Sequence, residues 1–176
     1  MDTGPPGYDT GMSPVFTRAK TSTGAGVIAI LLLVLVFGNQ IYADWVSSHA
    51  KPGNAWDLFL TQLAWPRWFI THGGLENRDV IAADLRALLL IVMVAVIIGM
   101  GADNVSGGFG AFVLGWFSVI LGAAVAGLLT AFITTTASAF TALQAAAGAA
   151  TYGLFVGWLV GLAAAATVRR KVAVSA

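Results

Sequence analysis

No cysteine occurs among the 176 residues, which removes disulfides, thiolate catalysis and cysteine-based metal sites from consideration. Charge is scarce as well. Only 10% of the residues are Asp, Glu, Lys or Arg, against about 25% in an ordinary soluble domain. The net charge of +1 gives no argument for a nucleic-acid partner. Between Asp103 and Arg169 there is no Asp, Glu, Lys, Arg or His at all. Ion-coupled pumps normally carry an ionisable group near the bilayer midplane, so a self-contained proton-driven pump is disfavoured.

Catalytic signatures are missing too. His72-Gly73-Gly74 has no Gly-x-Ser-x-Gly nucleophile elbow to serve. Neither a Walker loop nor a dinucleotide fingerprint is present. His49 and His72 lack the His-x3-His or Glu-x2-His neighbours that a metal site needs. The expectation is a protein that is not an enzyme, with no catalytic, cofactor-binding or metal-binding residues.

What the chain has instead is apolar length: 58% of its residues are hydrophobic. Runs of about 20 apolar residues cross the roughly 30 Å hydrocarbon layer as helices. The expected fold is all-α: a polytopic integral membrane protein with four transmembrane helices over about 24–43, 80–100, 109–133 and 143–168. The first run, built on Ile28 to Phe37, is followed by Tyr42 and Trp45 rather than by a small-residue cleavage site. It therefore reads as a retained helix and not a signal peptide.

Residues 1–21 hold Gly, Pro, Ser, Thr and Asp without periodicity and read as a cytoplasmic tail; residues 169–176 form a basic cytoplasmic end. Arg18 and Lys20 precede the first span, and Arg169, Arg170 and Lys171 follow the last. By the positive-inside rule both ends face the cytoplasm of a bacterial plasma membrane, and the long loop 44–78 lies outside. That loop carries four of the six tryptophans, Trp45, Trp56, Trp65 and Trp68. Asn54 can cap a helix on which Trp56, Phe59, Leu60 and Leu63 recur at helical spacing, with Pro66 ending it. Too short to span, this is expected to be an interfacial amphipathic helix.

Two features point to packing rather than chemistry. The fourth span carries Ala145, Ala149, Gly153, Gly157, Gly161 and Ala165, every fourth residue, and the third has a looser row from Gly107 through Gly115 to Gly127. Such rows let two helix backbones approach closely. They fit either a hairpin of spans three and four or a contact with another protein or a second copy. Phe112 to Trp116 also resembles Leu154 to Trp158, which fits either an inverted repeat or, more simply, convergence in Gly/Ala-rich sequence. On the second span, Asp84 and Arg86 fall one to two turns inside the outer end. Two apart, they do not face each other. Either Arg86 snorkels to the headgroups while Asp84 stays in the interface, or at least one of them pairs with a partner protein.

With its Ala/Val/Gly-rich bundle, Pro-Pro-Gly-Tyr at Pro5 to Tyr8 and Arg-Arg-Lys end, the chain resembles small membrane proteins of actinobacteria. In layout it is similar to the small membrane subunit that accompanies mycobacterial Mce-type lipid-uptake transporters, and to small subunits of respiratory supercomplexes. The resemblance implies a non-catalytic accessory subunit and carries over no functional residue. Partner contacts are then expected from Trp56, Trp65 and Trp68 outside the membrane and from Asp84 or Arg86 within it. A homo-oligomeric transporter or channel assembled through Ala149, Gly153, Gly157 and Gly161 is the alternative.

Overall fold

The computed structural model describes residues 14–51, 53–69, 77–134 and 138–174, with side chains described within 24–167 of these. Six α-helices follow in order: α1 (Pro14–Phe37), α2 (Gln40–His49), α3 (Ala55–Leu63), α4 (Asn77–Gly101), α5 (Gly107–Thr134) and α6 (Ala139–Val174). A 3-10 turn, Ala102–Asn104, joins α4 to α5. Asn77–Asn104, Gly107–Thr134 and Ala139–Thr167 are long and apolar enough to cross a membrane.

Four helices make the bundle: α4 packs on α5, α5 on α6, and α1 closes the ring by packing on both α6 and α4. The core positions follow from helical spacing. On α4 the buried residues Val80, Ala83, Ala87, Leu90, Val94 and Ile98 lie three or four apart, with Ala82 buried beside them. Of these, Ala87, Leu90, Val94 and Ile98 share a core with Ile30 and Val34 of α1, Val119, Ala123 and Ala126 of α5, and Tyr152, Val156 and Val160 of α6. Gly26 near the start of α1 lies against Ile98 at the end of α4 and Ala164 of α6. The chain therefore runs up α1, down α4, up α5 and down α6. At the turn into α5, Gly107 holds a φ of 80°, a conformation that costs an L side chain energy.

Three boundaries differ from the sequence reading. First, helix begins at Pro14, inside the expected tail; residues 1–13 lie outside the described ones. Proline is well suited to this first helical position, where its missing N–H is not needed. Second, α6 continues past Val168 to Val174, because nothing in Ala163 to Val174 is a Gly or Pro breaker.

Third, the expected first span over 24–43 is not one continuous helix. It breaks at Gly38-Asn39, and its apolar part, Gly24–Phe37, is shorter than a full span. The break has a clear local cause. Asn39 serves both helix ends: its Nδ2 donates to the Val36 carbonyl at 2.6 Å, and its Oδ1 accepts from the Tyr42 N–H at 2.8 Å. The first contact satisfies a carbonyl left over at the end of α1, and the second an amide left over at the start of α2. Gly38 is needed because a Cβ there would lie 2.4 Å from the Pro66 carbonyl oxygen.

In the connection between α2 and α4, α3 starts where Asn54 accepts the Trp56 N–H at 3.1 Å, and it ends before Pro66. His72 lies outside the described residues.

Candidate functional site at the capped end of the bundle

The small-residue row of α6 is occupied within the chain. A Cβ at Gly153 would lie 2.4 Å from the Ile120 Cα, one at Gly157 2.9 Å from the Trp116 carbonyl oxygen, and one at Gly161 2.5 Å from that of Phe112. Ala149 fills the same role against Gly127. Backbone meets backbone at each step, so the row faces α5. The similar pentapeptides lie side by side: the Trp116 indole N–H donates to the Leu154 carbonyl at 3.2 Å.

A second row went unnoticed in the sequence. Ser118, Gly122, Ala126 and Thr130, also spaced by four, are all buried on α5. Gly122 lies against Leu90, Met93 and Val94, so this row faces α4. The spacing was readable; the polar Ser and Thr at its ends hid it. Their hydroxyls are harmless there, since Ser118 donates to the Gly115 carbonyl at 2.7 Å and Thr130 to that of Ala126 at 2.8 Å.

The polar residues gather at one end, where the segment after α3 folds back over the helix tips. Trp68 clips it to α1: its backbone N–H donates to the Gly38 carbonyl at 2.9 Å and its indole N–H to that of Val34 at 3.0 Å. Trp65 rests on the Tyr152 ring of α6, with 5.2 Å between centroids, and holds the Arg86 guanidinium over its face at 5.4 Å. The Nε of Arg86 donates to the Thr130 hydroxyl at 3.3 Å. Asp84 accepts the Phe69 backbone N–H at 2.9 Å, and Arg78 donates through Nε to the Ile133 carbonyl at the end of α5. A cation at a helix C-terminus is favourable, because the last carbonyls are unpaired and the helix dipole is negative there.

Of the tryptophans expected to face a partner, only Trp56 is mostly exposed, at 62%, stacked on Phe59. Trp65 and Trp68 are half-buried, the Trp65 ring packed on Tyr152 and Arg86 and the Trp68 indole N–H bonded to Val34. Asp84 and Arg86 part company. Arg86 is half-buried against Trp65 and Thr130, whereas Asp84 is exposed on the outward stripe of α4 with Ile81, Leu88, Val92 and Val96.

Tyr152 is wholly buried, and its hydroxyl has no hydrogen-bond partner among the described residues. His49 stacks on Trp45 at 4.9 Å and touches the Ser48 hydroxyl at 2.9 Å. Among the described residues no group of three or more His, Asp or Glu side chains is placed to hold a metal ion. A cleft of about 450 Å³ lies between α2 and α3, lined by Ala43, Val46, Ser47, Thr61, Gln62 and Arg67.

No protein-family model, curated protein or solved structure matches this chain.

Proposed function

We propose that the protein is a non-catalytic accessory subunit of a larger membrane complex in the bacterial cell envelope. In this reading it is anchored by four spans, α1 with its bent continuation α2 serving as the fourth, and both termini are cytoplasmic. The observation that carries the reading is Asp84. It stands on an apolar, outward-facing stripe of a membrane-length helix, and a carboxylate so placed is costly unless a cation meets it. The partner is a transmembrane helix carrying Lys or Arg at that level. Exposed Trp56 on α3 adds a contact at the membrane surface.

The rival, a homo-oligomeric transporter or channel assembled through Gly153, Gly157 and Gly161, is disfavoured because α5 already fills that row. The similarity in layout to Mce-associated subunits makes a lipid-uptake transporter the first complex to look for. A respiratory supercomplex is the second.

The test is purification in mild detergent through a tag on this chain, followed by mass spectrometry. A stoichiometric larger partner is expected with the wild-type protein and is lost with Asp84→Asn, which keeps the acceptor for Phe69 but removes the charge. Recovery of a pure homo-oligomer would sink the proposal.

A further inference from the structure

Gly26 of α1 lies against Val160 and Ala164 of α6, which fixes the level at which these antiparallel helices touch. Both run on past this contact as unbroken helix, α1 back to Pro14 and α6 forward to Val174. On α1, Lys20 and Arg18 stand six and eight positions beyond Gly26, about 9 and 12 Å along the axis. On α6, Arg169, Arg170 and Lys171 stand seven to nine positions beyond Leu162, the midpoint of the contact, about 10–14 Å along the axis. The five cations of two adjacent helices therefore share one layer, about a single helical turn deep.

Cations placed this way repel one another. The 3-10 turn Ala102–Asn104 packs on α1 and brings one exposed acid, Asp103, to this end. The described residues here hold no other, since neither 14–43 nor 104–174 contains an Asp or Glu. One carboxylate cannot balance five cations, so the layer is left strongly positive. Orientation in a bilayer needs only cations somewhere in the flanks of the spans. It does not need them at one level on touching helices.

The level also decides what meets them. The apolar part of α1 starts at Gly24 and that of α6 ends at Thr167. Beyond these edges the five positions lie about 3–9 Å out, within or just past a headgroup layer about 5–7 Å thick. Lipid phosphates occupy that depth, whereas an acidic soluble protein is met farther out. Basic clusters between membrane helices suit lipids with more than one phosphate, because the anions can then be divided between the helices.

We propose that Arg18 and Lys20 of α1, with Arg169, Arg170 and Lys171 of α6, form a binding site for an anionic phospholipid carrying two phosphates, one for each helix. The site rests on the bilayer placement of α1 and α6 and requires no protein partner. Its failure therefore leaves the accessory-subunit reading untouched.

The test uses the purified full chain in detergent, titrated separately with tetraoleoyl diphosphatidylglycerol, dioleoylphosphatidylglycerol, dioleoylphosphatidylcholine and a hexaglutamate peptide. Adducts are counted by native mass spectrometry after low-salt and high-salt washes, and helicity and Tm are followed in parallel. One diphosphatidylglycerol should be retained saturably at low salt and released at high salt. Its retention should weaken about tenfold or more both in Arg18→Gln/Lys20→Gln and in Arg169→Gln/Arg170→Gln/Lys171→Gln. Should either variant fail to fold, the single changes Arg18→Gln and Arg170→Gln carry the same comparison, each with a loss of about severalfold expected. Sensitivity to the changes on one helix alone, or equal retention of phosphatidylcholine, would overturn the shared site. Equal or tighter retention of phosphatidylglycerol would overturn the two-phosphate assignment, and equal binding of hexaglutamate would overturn the lipid.

Discussion

The indole N–H of Trp68 donates to the carbonyl of Val34 at 3.0 Å, across thirty-four positions of chain. That carbonyl also accepts the Gly38 amide at 2.9 Å, at the point where α1 stops. The segment leading from α3 is thereby fastened to the broken tip of a bundle helix. Trp68→Phe keeps an aromatic ring but removes the donor and part of the packing, so a loss of about 1–2 kcal/mol is expected. Trp68→Ala also removes the packing, with about 3–5 kcal/mol expected. Thermal unfolding in detergent should rank the two in that order.

The α5–α6 contact predicts opposite outcomes at two glycines of one helix. At Gly153 a methyl group meets the Ile120 backbone, while at Gly148 nothing lies within 4 Å. Gly153→Ala should lower stability by about 1–3 kcal/mol through overpacking. Gly148→Ala should raise it by roughly 0.5–1 kcal/mol through helix propensity. Equal Tm values for the two variants would refute the backbone contact.

Asn39 joins two helix ends, and its replacement by Ala removes its side-chain hydrogen bonds to each of them. The cost expected of a lost N-cap alone is about 1 kcal/mol. Hydrogen exchange should quicken at the first amides of α2, Tyr42 above all, before it quickens in the bundle.

Tyr152→Phe should be neutral or stabilising. The hydroxyl is fully buried and lacks a partner among the described residues. An unsatisfied buried hydroxyl carries a desolvation penalty of about 1–3 kcal/mol. The ring contact with Trp65 survives the change, so a higher Tm with unchanged tryptophan emission is the outcome that checks it.

Much of this architecture could be read from the residues. The three membrane-length helices follow from uninterrupted apolar runs, and the α6 row from its regular spacing of glycine and alanine. The helix after Asn54 came from one cap residue and one proline. The break in the first span was missed, although Gly38-Asn39 is a C-terminal breaker followed by an N-cap residue. Hydropathy hid it, because Ile41 and Tyr42 continue the apolar pattern. The placement of Trp65 and Trp68 was out of reach. Whether an indole faces outward or folds back depends on acceptors such as the Val34 carbonyl, far away in sequence. The anchoring of Arg78 on the Ile133 carbonyl was hidden for the same reason, since it depends on where α5 ends.

The two rows on α5 have a consequence for how the protein is made. The chain leaves the ribosome N-terminus first, so α5 enters the bilayer with α4 already there to cover Ser118, Gly122, Ala126 and Thr130. Its other row, around Gly115 and Gly127, must wait for α6. Until then a strip of bare backbone faces lipid, or any other helix that happens to be near the insertion site. The hairpin therefore completes late in biogenesis, and a nascent chain stalled before Gly153 offers its half-built groove to whatever passes.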